Sequence, residues 1–89
     1  MHYKGVVVGA PDGDSMTLAG GVELRLANVN APEIGSPGAM EAQRYLHHLV
    51  FGRLVVFNVV ARSYDRFVAE VWLNGVSINE AMRRFLRGG

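Results

Sequence analysis

An 89-residue chain with 49% hydrophobic residues, nine basic and eight acidic side chains and no cysteine has room for one core, and residues 1–89 are expected to form a single domain. The absence of cysteine excludes disulfides, thiolate metal sites and a cysteine nucleophile. No apolar run reaches membrane-spanning length and no low-complexity tract appears, so no membrane partner is expected.

The net charge of +1 conceals an asymmetry. Residues 1–43 hold Lys4 and Arg25 against five acids, a balance of −3, whereas residues 44–89 hold seven arginines against Asp65, Glu70 and Glu80, a balance of +4. One lysine beside eight arginines is compatible with bidentate contacts to phosphate or carboxylate. Val6 to Ala10 is too short for a signal-peptide core, which leaves the compartment open between the cytoplasm and a secreted mature form. Composition does not address the oligomeric state.

Along the chain, short apolar runs alternate with turn residues: Tyr3 to Ala10, Pro11-Asp12-Gly13-Asp14, Ser15 to Ala19, Gly20-Gly21, and Val22 to Val29. This pattern predicts a meander of three strands, with Gly20-Gly21 supplying the positive φ angles of a tight hairpin. In the third strand Val22, Leu24 and Leu26 share one face, so Arg25 points away from the core. A helix is expected next, with Ser36 as N-cap, Pro37 at its first position, an apolar face of Ala42, Leu46, Leu49 and Val50, and Gly52 past its end. Leu54 to Val60 and Phe67 to Leu73 read as two further strands, the latter closed by Asn74-Gly75. Ser77-Ile78-Asn79-Glu80 matches a capping box ahead of a short helix with Ile78, Met82, Phe85 and Leu86 on its apolar stripe. Three strands, a helix and two strands is the element order of an OB-fold, although an open α+β sheet has the same periodicity.

Three segments carry possible chemistry. Asp12-Gly13-Asp14 offers oxygen ligands for a hard cation, although Asp and Gly are also favoured turn residues that need no ligand. Arg25 heads a strand leading to Asn30-Ala31-Pro32-Glu33, where Glu33 is either an exposed loop acid or a carboxylate able to activate water. Tyr64-Asp65-Arg66 adds a second guanidinium, and Asp65 could divert it by pairing with Arg66 or Arg62 or could take the left-handed turn position itself. His47 and His48 are neighbours about 100° apart on a helix, which is not metal-pair spacing. Trp72 is either a base-stacking surface or a cover for the helix or rim.

In order, the three segments resemble the staphylococcal nuclease (thermonuclease) family, whose pattern runs D-G-D-T, R-L-x-x-x-D-[TA]-P-E and Y-G-R. The resemblance extends from about Val6 to Leu86 and includes Asn79-Glu80-Ala81. It implies a mainly β, α+β fold: a five-stranded OB-fold barrel with a helix between strands three and four and a short C-terminal helix. It also implies divalent-cation-assisted hydrolysis of DNA or RNA phosphodiester bonds. By the same resemblance Asp14, Asn30 and the Ala31 carbonyl are metal positions for Ca2+, and Glu33 meets the attacking water. Arg25 and Arg66 bind phosphate, with Asp12 and Tyr64 in support. Asn30 stands where the family has a second aspartate, so weak calcium affinity is expected, and Asp65 replaces a glycine. The loop after Glu33 is shorter than in the prototype nuclease, whose C-terminal nucleotide-stacking tyrosines have no match in these residues. The alternatives are a catalytically quiet nucleic-acid-binding domain and a protein-interaction module.

Overall fold

In the computed structural model, which describes residues 1–88, the first half of the chain forms β1 (Tyr3–Asp12), β2 (Ser15–Leu18) and β3 (Glu23–Leu26). Helix α1 (Ala39–Val50) follows, then β4 (Leu54–Ser63), β5 (Arg66–Leu73), the two-residue β6 (Val76–Ser77) and α2 (Ile78–Leu86). The sheet order is β3-β2-β1-β4-β5-β6, and an additional parallel pairing of β3 with β5 makes β1, β2, β3, β5 and β4 a closed ring. This is the OB-like arrangement, mainly β with two helices. Among the described residues, no helix is long and apolar enough to cross a membrane.

The period-2 pattern sorts the ring into an inside and an outside. Val7, Leu24, Leu26, Val55, Ala69 and Val71 are fully buried inside, and Leu46, Val50 and Met82 of the two helices pack with them. Each buried Val, Leu or Met of this kind contributes about 1.5–3 kcal/mol. Farther along the same inward rows, Tyr3, Val22, Phe57, Val59 and Phe67 line an apolar mouth of about 350 Å³.

The hairpin at Gly20-Gly21 has φ values of 93° and 89°, and Gly52 takes φ 75° just past α1. Asn74 and Gly75 are also left-handed, and their turn carries the chain into β6, a strand too short to show in sequence. Ser77 caps α2, its Oγ accepting from the Glu80 N–H at 3.1 Å. The Glu80 carboxylate turns instead toward Arg83, Arg84 and Arg87. Its hydrogen bond from Arg83 holds its pKa below the ordinary value.

Several boundaries differ from the sequence reading: β1 runs on to Asp12 and β4 to Ser63, β2 ends at Leu18 and β5 begins at Arg66, and two further differences have a backbone cause. Helix α1 starts at Ala39, not Pro37, because Gly38 is left-handed at φ 84° and interrupts the right-handed turn. The Ser36 carbonyl accepts from the Ala39 N–H in a tight turn, and the Ser36 side chain makes no cap. Strand β3 ends at Leu26, not Val29, since Asn28 at φ 57° leaves the extended region.

Asn79 ties the closure together. Fully buried, it accepts from the Val71 N–H at 2.8 Å and donates to the carbonyls of Ala27 (3.1 Å) and Ala69 (3.0 Å). Removing the amide strands polar groups in the core, above all the Val71 N–H. Asn79→Ala should therefore lose on the order of 2–4 kcal/mol of unfolding free energy in a urea titration. A loss below about 0.5 kcal/mol, within the range of an ordinary surface substitution, would contradict this role.

Candidate functional site

The β1–β2 turn is built around an aspartate that bonds its own backbone: Asp12 Oδ1 accepts from the Asp14 N–H at 3.0 Å. Gly13 between them is buried, and an added Cβ would lie 2.6 Å from the Ala42 Cβ of α1 and 2.8 Å from the Ala31 Cβ. Only glycine lets the acidic turn wedge between the helix and the loop after β3. That wedge sets the first side of the site.

The second side comes from ring closure. Parallel pairing of β3 with β5 sets Arg25 opposite Val68, and Arg25 and Arg66 both lie on the outward rows of their strands. Asp12, Asp14, Arg25, Asn30, Ala31, Pro32, Glu33 and Arg66 together line a cleft of about 290 Å³. Every position assigned to metal, water or phosphate by resemblance is therefore in one place.

Within the cleft a chain of bonds links the two arginines. Arg66 Nη1 donates to Ser15 Oγ (3.2 Å), and the Ser15 hydroxyl donates to Asp14 Oδ1 (3.3 Å). Asp14 Oδ2 accepts from the Ala31 N–H (3.0 Å) and lies 3.4 Å from Arg25 Nη2. Arg25 Nη2 also donates to Asn30 Oδ1 at 3.0 Å. Glu33 is exposed, and its carboxylate has no ion pair or hydrogen bond among the described residues.

The pKa values of the two neighbouring aspartates are pushed in opposite directions. Burial raises the pKa of Asp14, the neighbouring Asp12 carboxyl adds to the rise, and the Ala31 N–H and Arg25 only partly offset it. For Asp12 burial acts upward too, but bonds with the Asp14 side chain and N–H, Ser15 and nearby Arg66 outweigh it and lower the value.

Tyr64 is not brought into the cleft: it is 99% exposed at the β4–β5 turn. It also takes the left-handed position, at φ 56°, so Asp65 does not occupy the strained slot. Asp65 pairs with neither Arg62 nor Arg66 among the described residues, and Arg62 lies over the Phe67 ring at 5.3 Å. Trp72 is half-buried, its ring 5.7 Å from that of His2, and stands apart from the site.

Sequence reasoning missed two contributors. Ser15 relays between Arg66 and Asp14, and its signal was a hydroxyl directly after the acidic turn. Gly13 read as turn chemistry, whereas its close approach to Ala42 and Ala31 depends on contacts distant in the chain.

The fold and cleft define an OB-like protein with acids and arginines gathered on one outer face. Residues 23–85 match the family model described as staphylococcal nuclease homologue, and the chain belongs to that family. A protein from Oryza sativa subsp. japonica described as probable staphylococcal-like nuclease CAN4 is 36% identical over 66 residues, covering 73% of this chain and 13% of that relative's length.

Gly13→Ala should lower stability by about 1–3 kcal/mol, as overpacking does, and should shift the amide resonances of Asp14 and Ala31. Unaltered stability and spectra would show that the turn has slack the packing denies it.

Proposed function

We propose that this chain hydrolyses phosphodiester bonds of DNA or RNA with the help of a divalent cation. The observation that carries the reading is the convergence of two arginines, a glutamate unpaired among the described residues and an acidic turn on a single cleft. Membership of the family supports it.

The donor chemistry fits a hard cation such as Ca2+: the cleft is lined by carboxylate and amide side chains and by no sulfur or imidazole. Among the described residues no group of three His, Cys, Asp or Glu side chains stands ready to hold a metal, so Asn30 and the Ala31 carbonyl must complement Asp14, with Asp12 in support. When bound there, the ion would offset charge on the phosphate oxygens.

The chain's own residues supply the remainder. Arg66, with one hydrogen bond to Ser15 among the described residues, keeps further N–H donors for a phosphate oxygen. Arg25 faces the same cleft from β3. Their charges favour the anionic phosphorane-like arrangement over the starting diester. Glu33 accepts a proton from water as its oxygen bonds to phosphorus, and the bond from phosphorus to the leaving ester oxygen breaks, that oxygen taking a proton from solvent.

A second reading, a catalytically quiet nucleic-acid-binding domain, draws on Asn30, which lacks the charge of the family's aspartate. Purified protein incubated with single-stranded DNA and RNA, in calcium, magnesium or chelator, separates the two. The nuclease reading expects cation-dependent cleavage that falls about 10²–10⁴-fold in Glu33→Gln. It also expects Arg66→Ala to weaken oligonucleotide binding by about 1.5–3 kcal/mol. Binding without cleavage in any cation supports the second reading, and equal cleavage by wild type and Glu33→Gln overturns the role of Glu33.

A further inference from the structure

Arg25 is the most fully bonded side chain of the cleft. Nη1 donates to the carbonyls of Leu26 (2.9 Å) and Val29 (2.6 Å), and Nη2 donates to Asn30 Oδ1 (3.0 Å) beside Asp14 Oδ2 (3.4 Å). The two nitrogens therefore do different things. Nη1 fastens the guanidinium to the turn that follows β3, while Nη2 neutralises the acidic turn. Among the described residues Arg66 has one hydrogen-bond partner, the Ser15 hydroxyl.

The two oxygens that Nη2 addresses are the side-chain atoms assigned to the cation. We infer that Arg25 is a built-in counter-ion of this cleft, competing with a divalent cation for Asp14 and Asn30, so that the ion enters only as Nη2 leaves. The inference rests on the cation site of the proposed function and adds how that site is regulated.

Three features make competition the physical outcome. A guanidinium is charged at every accessible pH, so it cannot yield by losing a proton. The Asn30 amide oxygen has two lone pairs, one of them already accepting from Nη2, and carries no net charge to attract a second cation. Asp14 Oδ2 also accepts from the Ala31 N–H, which leaves little of that oxygen for both Arg25 and an ion. Two positive groups sharing these atoms repel each other at short range.

Displacement leaves Nη2 without an acceptor while the bonds from Nη1 to Leu26 and Val29 can keep the head group at the cleft. A phosphate oxygen is then its natural partner. Phosphate and cation thus favour one another through a single side chain, since whatever draws Nη2 outward vacates Asp14 and Asn30, and this coupling is reciprocal.

The decisive probe is calcium alone, without nucleic acid. Calorimetric titration of the full chain should show Arg25→Met binding calcium about tenfold more tightly than wild type, the size of a typical coupling. Arg25→Lys should fall between them, because it keeps the charge without the fork. Equal or weaker calcium binding by Arg25→Met with a native circular dichroism spectrum overturns the inference and leaves the cation site standing. Failure of wild type and both variants to bind calcium overturns both. An independent measurement uses the wild-type chain and is immune to any folding defect in the variants. On calcium addition the Arg25 guanidinium and Asn30 side-chain amide resonances should shift together, and saturation with calcium that leaves the Arg25 signals unmoved would overturn the competition.

Discussion

Parallel pairing of β3 with β5 is the contact on which the remainder of this molecule depends. Without it the strands form an open sheet, and Arg25 and Arg66 belong to its separate ends. The pairing joins segments about forty residues apart, so its loop-closure cost must be offset by contacts that form with it. The Ala27 N–H donates to the Ala69 carbonyl at 2.9 Å, and Asn79 adds bonds to Ala27, Ala69 and Val71 from the start of α2. Ser77, by capping that helix, helps set where Asn79 enters the core. A capped nine-residue helix thus helps hold a cleft to which none of its side chains contributes.

Closure also brings the two halves of the chain together at the cleft, where Arg25 stands with the acids of its own half. The cleft takes Asp12, Asp14 and Glu33 from the acidic first half and Arg66 from the basic second half. Ser15 bridges the halves with one hydroxyl that accepts from Arg66 and donates to Asp14. The raised pKa of Asp14 is caused chiefly by its burial and then by the neighbouring Asp12, with the Ala31 N–H and Arg25 offsetting it in part. Gly13 lets the turn press against α1 and the Ala31 loop.

Much of this was legible along the chain because it depends on neighbours in sequence. Glycine pairs marked turns, alternation marked the inward rows, and the outward register of Arg25 followed from Leu24 and Leu26 being inside. The misplaced boundaries arose where two local rules conflict: Ser36-Pro37 is a good helix start, but Gly38 immediately after it adopts the left-handed region. At the β4–β5 turn, Asp65 tolerates positive φ better than Tyr64, yet Tyr64 adopts it, since pairing of Ser63 with Arg66 fixes the turn from outside. The clearance around Gly13 and the internal bonds of Arg25 had no sequence signal at all. They arise from atoms that meet only after the ring closes.

An apolar mouth lined by Tyr3, Phe57 and Phe67 offers a different surface on the same ring, so which surface the proposed nucleic-acid substrate would touch is the central matter. Backbone amide and arginine side-chain resonances followed during titration with a short single-stranded oligonucleotide would locate it directly. The account predicts that the largest shifts fall on Asp14, Arg25, Ala31 and Arg66. Shifts confined to Tyr3, Phe57, Val59 and Phe67, with Asp14, Arg25, Ala31 and Arg66 unmoved, would contradict it.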